Sequence, residues 1–343
     1  MADVTVMGAG VFGLSVAWTC LKRGASVRVI DPGGPGAGAS GGVVGALAPH
    51  VPENWNDKKA FQFDSLIMAE AFWRDVQTVS GISPGYGRTG RLQPIADEGA
   101  LALAQQRACT SKGLWQGKAD WRIVDATDHN WAPATPTGKL IYDTLSARMH
   151  PRQACTALAA AITASGGEVV TDGLQQGAVI WATGVAGLEE LNQGAPRAIG
   201  NGVKGQGAVL HFSAPDMPQL FADTVHIIPH ENGTVAIGST SERDYDDPTA
   251  TDAQLDDVIE RAMQAVPVLH GARVVERWAG VRPRTRSRAP MLGRHPVHDG
   301  QFIANGGFKI GFGMAPKIGS VMADLMLDGV DNIPDGFRPE ASF

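Results

Sequence analysis

The chain has 343 residues, of which 43% are hydrophobic, and its formal net charge at pH 7 is -6. At roughly 150 residues per domain, this length predicts about two domains with a sizeable buried core. The negative balance provides no overall field that would attract phosphate backbones or anionic lipids, which disfavours general nucleic-acid or membrane binding.

The cysteines and the N-terminus indicate an intracellular protein without a structural metal. Cys20, Cys109 and Cys155 are scattered, so they predict neither a disulfide framework nor a zinc site, and Cys20 and Cys155 fall in apolar helical segments where they fill the core. No run approaches the ~18 apolar residues of a membrane span, and the N-terminus enters a strand without a charged leader. We therefore expect a cytoplasmic protein with no metal ligands.

The first predicted elements are a strand, a glycine turn and a helix. An apolar run over residues 4–7 predicts a buried strand, and the apolar positions of residues 14–23 predict a helix that ends before Gly24. Between them, Gly8, Gly10 and Gly13 have the spacing G-x-G-x-x-G. Glycines at these positions permit a tight turn and close approach to a pyrophosphate at the helix N-terminus.

A second predicted strand, residues 26–30, ends at Asp31, which lies 18 residues after Gly13. This is close to the spacing at which a carboxylate bonds the ribose hydroxyls of an adenosine, and it argues against a phosphate on that ribose. The alternative is a glycine turn inside a core, with Asp31 as a solvated cap. The whole strand–turn–helix–strand unit favours dinucleotide binding, but it leaves FAD and a nicotinamide cofactor both open.

The following residues suggest a discontinuous nucleotide domain. Residues 32–49 are too rich in glycine for a helix or strand, whereas a nicotinamide Rossmann domain normally enters a helix soon after its second strand. Pro151 begins a predicted helix, which leads to a short strand at 168–171. A later apolar strand, 178–182, ends at Thr183 and Gly184, so a further segment of the domain lies late in the chain.

In order along the chain, seven further segments resemble those of the FAD-dependent amino-acid and amine oxidoreductases typified by D-amino-acid oxidase, glycine oxidase and sarcosine oxidase. They are "ASGGVVGALAP", "RMHPRQACTAL", "VIWATG", "VKGQGAVLHF", "HIIPHENGTVAIGST", "WAGVRPRTRSRAPMLGRHP" and "NGGFKIGFGMAP". The resemblance implies FAD rather than NAD. Because relatives with covalent flavin use a cysteine in the C-terminal region, and this chain has none after Cys155, it also implies non-covalent FAD.

The resemblance implies an α/β fold, with a discontinuous Rossmann-type FAD-binding domain and a second, α+β substrate domain built on a mostly antiparallel sheet. We place the first domain at residues 1–85, 140–200 and 280–343, and the second at 86–139 and 201–279. Within the second, the turn residues "ENG" between two alternating apolar runs predict a hairpin, and Thr251 or Asp252 caps a predicted helix.

The fingerprint and the resemblance together assign cofactor contacts to eighteen positions. These are Gly8, Gly10, Val11, Phe12, Gly13, Asp31, Ser40, Gly41, Gly42, Val170, Thr183, Gly184, Gly307, Phe308, Lys309, Gly311, Gly313 and Met314.

The arginines of the "VRPRTRSR" segment, at even positions 282 to 288, would share one face of a regular strand. Their repulsion and the missing donor of Pro283 predict instead a bent segment with divergent arginines. By resemblance, Arg282 holds the substrate carboxylate, because a guanidinium fork suits a two-oxygen group. The others are expected to be solvated or paired with acids. Ser287 stands where relatives often have an aspartate.

Lys309 and His226 are the other candidate substrate contacts. Lys309 occupies a position where relatives often have arginine, so it is expected either near the N1 and C2 carbonyl of the flavin or against the substrate, and a surface lysine is the alternative. His226 stands where relatives often have an aromatic residue, which suggests a pocket wall, whereas His230 at the hairpin turn is expected to be exposed. The family's chemistry requires no acid–base residue, so none is assigned.

These observations predict an FAD-dependent enzyme that oxidises a small amine or amino acid, of the glycine, D-amino-acid or sarcosine type, to an imine by hydride transfer to the flavin N5. The electron acceptor, oxygen or another, and the oligomeric state stay open. The alternatives are an FAD-dependent tRNA-modifying enzyme that acts on an aminomethyl-uridine, a NAD-dependent dehydrogenase, and an FAD-bearing subunit whose partner supplies the active site.

Overall fold

A computed structural model describes residues 2–126 and 131–343. The strands of these residues are β1 (Val4–Met7), β2 (Val27–Ile30), β3 (Ala46–Leu47), β4 (Arg91–Pro94), β5 (Trp121–Asp125), β6 (Lys139–Asp143), β7 (Ala147–Arg148), β8 (Glu168–Val170), β9 (Ala178–Trp181), β10 (Gly200–Leu210), β11 (Gln219–Ala222), β12 (Val225–Pro229), β13 (Val235–Gly238), β14 (Val274–Thr285), β15 (Met291–Arg294) and β16 (Phe302–Asn305). The α-helices are α1 (Val11–Lys22), α2 (Asp57–Ser80), α3 (Glu98–Leu114), α4 (Pro151–Ala164), α5 (Gly184–Asn192), α6 (Ala253–Ala265) and α7 (Gly311–Ala323).

The first sheet of the described residues has six strands in the order β15-β16-β9-β1-β2-β8. Its strands pair in parallel, except for β15, which is antiparallel to β16 at one edge. The central strands read as nearly continuous apolar runs because helices cover the sheet, as in other parallel sheets. Helices α1, α2, α4 and α7 pack together around a core that includes Trp18 and Trp73, both almost completely buried.

The second sheet of the described residues has eight strands in the order β14-β10-β13-β12-β11-β4-β6-β5. Its pairs are antiparallel, except for the parallel pair β4 and β11. Helix α6 covers one face with Leu255, Val258 and Ala262, which are in the same apolar cluster as Ile227 and Ile237.

We call the opposite side of this sheet the inner face. The strand register places Arg282 and Arg284 of β14 on it, together with His226 of β12 and Phe221 of β11. Val43, from the loop that follows β2, packs on this face against Val209, Ile228 and Ala236. The inner face therefore lies against a segment of the nucleotide-binding unit.

The predicted fold class is confirmed: a parallel sheet with the glycine turn and a second, mostly antiparallel sheet make up an α/β fold. The hairpin around "ENG" is also confirmed, since β12 and β13 pair antiparallel on either side of it. The division into domains at residues 85, 139, 200 and 279 stays a prediction. None of the helices in the described part of the chain combines the length and the apolar character needed to cross a bilayer.

The predicted bend at Pro283 is wrong. Strand β14 continues regularly to Thr285, with Arg282 opposite Val203 and Pro283 opposite Gly202 of β10. The Pro283 carbonyl faces away from β10 and accepts a hydrogen bond from the Phe308 N–H at 3.0 Å, so the missing donor of the proline falls on the outer edge of the sheet. The chain turns only after the strand, where the Arg288 N–H bonds the Thr285 carbonyl at 3.1 Å.

Candidate functional site

The glycine turn between β1 and α1 has no room for side chains. Gly8 has φ +107°, and a Cβ on it would lie 2.5 Å from the carbonyl oxygen of Ala182. A Cβ on Gly13 would lie 2.0 Å from the Gly8 carbonyl oxygen. Gly10 is the N-cap of α1 and offers no capping side chain. The glycines therefore keep the turn tight, and the N–H groups and helix dipole at the N-terminus of α1 favour an anionic ligand such as a pyrophosphate.

Asp31 lies at the end of β2, directly beside this turn. Its two carboxylate oxygens accept hydrogen bonds from the backbone N–H groups of Ala9 at 2.7 Å and Gly33 at 2.9 Å. Its own N–H bonds the carbonyl of Val170, at the end of β8, at 3.0 Å. An ionised carboxylate has about four acceptor sites, so Asp31 can still accept the ribose hydroxyls of an adenosine. These residues fit the adenosine half of FAD.

The loop after β2 folds over the N-terminus of α1. A short 3₁₀ turn, Ala39–Gly41, brings the hydroxyl oxygen of Ser40 to the Val11 N–H at 3.0 Å. A Cβ on Gly41 would lie 2.3 Å from the Gly36 carbonyl oxygen, so the turn needs glycine there. A Cβ on Gly42 would lie 3.2 Å from the Trp278 ring of β14. The loop therefore links the helix N-terminus to the inner face.

Two later segments complete this surface. Thr183, the N-cap of α5, follows β9 and lies next to Gly8, and Gly184 begins α5. The segment before α7 returns to the fingerprint, since a Cβ on Gly307 would lie 2.8 Å from the Phe12 ring. Residues 311, 313 and 314 form the first turns of α7, where Met314 is fully buried. The structure thus brings together the predicted cofactor positions from six separate parts of the chain: 8–13, 31, 40–42, 170, 183–184 and 307–314.

Arg282 is fixed on the inner face. It is 8% exposed, and its Nη2 donates hydrogen bonds to Ser239 Oγ at 3.1 Å and to the Thr240 carbonyl oxygen at 3.0 Å. The guanidinium lies across Gly205 of β10, where a Cβ would be 1.2 Å from Nη2. Burial lowers the pKa of Arg282 to about 10, opposed by the nearby Glu242, so it keeps its charge at neutral pH. Its Nε and Nη1 make no hydrogen bond with the described residues, which leaves two separate donors for a ligand.

A buried polar network lies behind Arg282. Glu242 accepts hydrogen bonds from the Thr240 hydroxyl and, at 3.1 Å, from Gln206 Nε2, and it forms an ion pair with Lys204 at 3.6 Å. Gln206 also donates to Asp252 at 2.9 Å. Because Thr240 contributes its carbonyl to Arg282 and its hydroxyl to Glu242, the network supports the position of the guanidinium.

His226 lines the same face and is electrically neutral at ordinary pH. Its ring lies 4.6 Å from the Phe221 ring, and its Nδ1 is buried without a partner in the described structure. Burial lowers the pKa of His226 to about 3, with further contributions from Arg91, Lys309 and Arg282. A neutral imidazole among these cations can accept or donate a hydrogen bond to a ligand, but it does not bind an anion through charge.

The expectation that His230 is exposed is wrong. The residue is 1% exposed rather than exposed, because its ring packs 4.6 Å from that of His150, the N-cap of α4. Burial lowers the pKa of His230 to about 3 as well. The hairpin turn itself begins beyond it, at Glu231.

Phe308 and Lys309 extend the site on the outer side of β14. Phe308 has φ +42°, and its ring lies among three cationic groups: Arg284 Cζ at 5.4 Å, Lys309 Nζ at 5.6 Å and Arg282 Cζ at 5.9 Å. Burial and the neighbouring Arg282 and Arg284 lower the pKa of Lys309. Lys309 is exposed, but its Nζ lies beside the same ring as the Arg282 guanidinium, so its role in the site stays a prediction.

Three comparisons with known proteins agree with this arrangement. The sequence model of the family described as FAD dependent oxidoreductase (DAO) matches residues 3–325. The chain belongs to this family. The oxidoreductase is 27% identical to a glycine oxidase of Pseudomonas putida over 382 aligned positions, which cover 98% of each protein.

The oxidoreductase is also 26% identical to the bifunctional protein ThiO/ThiG of Trichormus variabilis, over 95% of its own length, and it spans about half (53%) of that longer protein. Among solved structures, the glycine oxidase of Geobacillus kaustophilus superposes with a TM-score of 0.84 at 21% identity, and the alignment covers 98% of both chains. At this identity the structural likeness shows the fold.

The family decides between the two cofactors that the sequence pattern leaves open. The oxidoreductase is FAD-dependent, and the glycine cradle, Asp31 and the loop at Ser40 fit that cofactor. Attachment of the FAD without a covalent bond stays a prediction. Among the described residues, no cluster of His, Cys, Asp and Glu is placed to hold a metal ion.

Sequence reasoning missed three residues that shape the site: Gly205, Glu242 and Arg91. Gly205 makes space for the Arg282 guanidinium, and the only sequence signal was its place in the glycine-rich strand "GNGVKGQG". Arg91 of β4 is 6% exposed and pairs with Asp143 of β6 at 3.0 Å. Its approach to His226 depends on strands that are more than a hundred residues apart in sequence.

Proposed function

We propose that this oxidoreductase oxidises a small amine or amino acid to the corresponding imine, which water then hydrolyses. The substrate loses a hydride from the carbon next to nitrogen, so the C–N single bond becomes a double bond, and the nitrogen gives one proton to water. FAD, when bound, accepts that hydride. The buried cation Arg282, with two unused donor nitrogens on the face that packs against the cofactor loop, is the observation that carries this proposal.

Arg282 would hold the substrate carboxylate. One of its nitrogens is bonded to Ser239 and Thr240, so the guanidinium is already oriented before a ligand arrives, and the free Nε or Nη1 can donate a charge-assisted hydrogen bond to a carboxylate oxygen. Burial strengthens such a pair because little water competes for the charges. A carboxylate held there is fixed in position relative to the Ser40–Gly42 loop.

The other residues of the inner face would exclude water and orient the substrate rather than transfer protons. His226 stays neutral at working pH because of its lowered pKa, and Phe221 packs against it. Neither is needed as a base if the amine binds in its neutral form. The residues thus contribute positioning, which by itself can supply a large part of a rate enhancement.

Relatives support the substrate class. The Pseudomonas putida protein and the Geobacillus kaustophilus protein are both named glycine oxidases. We extend that class, small amines and amino acids, to this oxidoreductase as a proposal. The electron acceptor is open, and oxygen is the first candidate to measure.

The test is anaerobic bleaching of the bound flavin by a panel of glycine, sarcosine and both enantiomers of small amino acids. Bleaching by one or more of them is expected, and a flavin that no amine reduces would contradict the proposal. Arg282→Ala should retain FAD but bind an amino-acid substrate more weakly, whereas the matched control Arg286→Ala, at an exposed position of the following turn, should not change affinity. Tight, salt-sensitive retention of tRNA on a filter would instead favour the tRNA-modifying alternative.

A further inference from the structure

Three cations of the site have no acid partner. Arg282, Arg284 and Lys309 lie 5.9, 5.4 and 5.6 Å from the same Phe308 ring, and none of them forms an ion pair with the described residues. Arg284 and Lys309 also make no side-chain hydrogen bond in the described part of the chain. The Phe308 N–H donates a hydrogen bond to the Pro283 carbonyl, which fixes Phe308 beside β14. The three cationic groups therefore lie around the same aromatic ring.

The nearest carboxylate that acts on Arg282 is already engaged. Glu242 accepts hydrogen bonds from Thr240 and Gln206 and is neutralised by Lys204 at 3.6 Å. On the other side, Arg243 and Arg288 add positive charge near Arg284 and, with its partial burial, lower its pKa. The cluster is therefore a local excess of positive charge in a protein whose net charge is -6.

A substrate with one carboxylate balances only part of this charge. Arg282 carries one positive charge and two free donor nitrogens, so it balances one carboxylate. Lys309 and Arg284 would then still repel each other. A second anionic group beside the first would remove this repulsion.

We propose that Lys309 and Arg284 form a second carboxylate subsite, so that the preferred substrates are small amines that carry two carboxylates. The proposal rests on the function proposed above, because it places the first carboxylate on Arg282. Lys309, as a point charge, can approach either oxygen of the second carboxylate, and Arg284 can bond it from the solvent side. Lys309 would thus bind the second carboxylate and would not add a second bidentate contact to the first one.

Binding of inert ligands tests the subsite without turnover. Succinate and butyrate have the same carbon chain and differ in one carboxylate, so calorimetric titration of the FAD-bound protein with each, at constant ionic strength, isolates the second group. We expect succinate to bind about tenfold or more tightly than butyrate, as for one charge-assisted contact. Equal affinity for the two ligands, or no binding of either, would overturn the subsite.

Variants assign the preference to residues. Lys309→Gln and Arg284→Gln should each reduce the ratio of succinate affinity to butyrate affinity about threefold, because Lys309 is exposed and Arg284 only half-buried, so water weakens both ion pairs. The control Arg286→Gln removes an exposed arginine of the same segment and should leave the ratio unchanged. A ratio that survives in the double variant Lys309→Gln/Arg284→Gln contradicts the assignment.

Turnover separates this proposal from the one on which it rests. The ratio of kcat/KM for aspartate to alanine, and for N-carboxymethylglycine to N-methylglycine, should favour the two-carboxylate member of each pair. Oxidation of alanine or N-methylglycine without such a preference leaves the proposed function standing and removes the subsite. If succinate binds tightly but no amine reduces the flavin, the subsite stands and the proposed function is contradicted.

Discussion

Replacing Gly205 by alanine is the most direct perturbation of the proposed carboxylate anchor. The new Cβ would lie 1.2 Å from Nη2, 2.2 Å from Cζ and 2.8 Å from Nε of Arg282. Ordinary contacts need more than 3 Å, so the guanidinium has to move by about 2 Å, while the backbone of β10 is held by β13 and β14 on its two sides. The substitution therefore displaces Arg282 without changing it.

The expected cost follows from the contacts that are lost. A displaced guanidinium gives up its hydrogen bonds to Ser239 and Thr240 and no longer meets a carboxylate at its former position. A hydrogen bond to a charged group contributes about 1.5–3 kcal/mol. Its loss corresponds to binding of the substrate carboxylate that is about 10- to 150-fold weaker. The FAD cradle contains none of these atoms, so the flavin should stay bound.

The assay is the dissociation constant of an amino-acid substrate or a carboxylate ligand, read from the flavin absorption of Gly205→Ala under anaerobic conditions. Gly113→Ala is the matched control, because a Cβ there meets nothing within 4 Å. Arg282→Ala sets the upper limit of the effect. Undiminished affinity in a folded, yellow Gly205→Ala protein would show that the position of Arg282 does not determine carboxylate binding.

Other predictions address the cofactor and the pH dependence of stability. Gly13→Ala should give a colourless or weakly yellow protein, because its Cβ would lie 2.0 Å from the Gly8 carbonyl oxygen; retention of full flavin content would refute the cradle. Acid denaturation should release all the flavin into the supernatant, and flavin that stays with the precipitate would reveal a covalent bond. The folded-state pKa of His226, about 3, lies below its usual value of 6.5, so the unfolded chain binds the extra proton between these pH values. The free energy of unfolding should therefore fall as the pH drops below 6.5, by at most about 1.4 kcal/mol per pH unit from this group. Urea titrations at pH 7.5 and 5 should show a smaller difference for His226→Phe than for the wild type and for the exposed-site control His211→Gln; equal differences in all three would exclude the buried imidazole as a source.

The parts of the site that were predictable from sequence are those that local backbone geometry controls. Gly8 and Gly13 are needed because their turn leaves no room for a Cβ. The spacing of the glycines over a few residues is enough to predict this requirement. Asp31 follows directly from the end of a strand that pairs with β1. Arg282 was found through resemblance, which carries information that the residues of one chain do not contain.

The errors concern contacts between distant parts of the chain. Pro283 was expected to interrupt a strand, but β14 is the edge of the sheet, and a missing N–H on an outer edge breaks no ladder bond. His230 was expected to be exposed because hairpin turns are, yet His150, from the start of α4, covers it. The sequence of a segment does not show whether its strand is central or at the edge of the sheet, nor which distant residues pack over its turn.

The glycines of the inner face connect the two halves of the site. A Cβ on Gly207 would lie 3.2 Å from both Val43 and Val44, and one on Gly238 would lie 2.8 Å from Val44, so the loop after β2 rests almost directly on the backbone of the eight-stranded sheet. This loop also carries Ser40, which bonds the N-terminus of α1. Because only the short, stiff side chains of Val43 and Val44 separate sheet and loop, a shift of β10 or β13 should move the loop as well. The distance between a carboxylate on Arg282 and a cofactor against Ser40–Gly42 thus depends on this close packing, and a larger residue at Gly207 or Gly238 would push the two apart although neither glycine has a functional group.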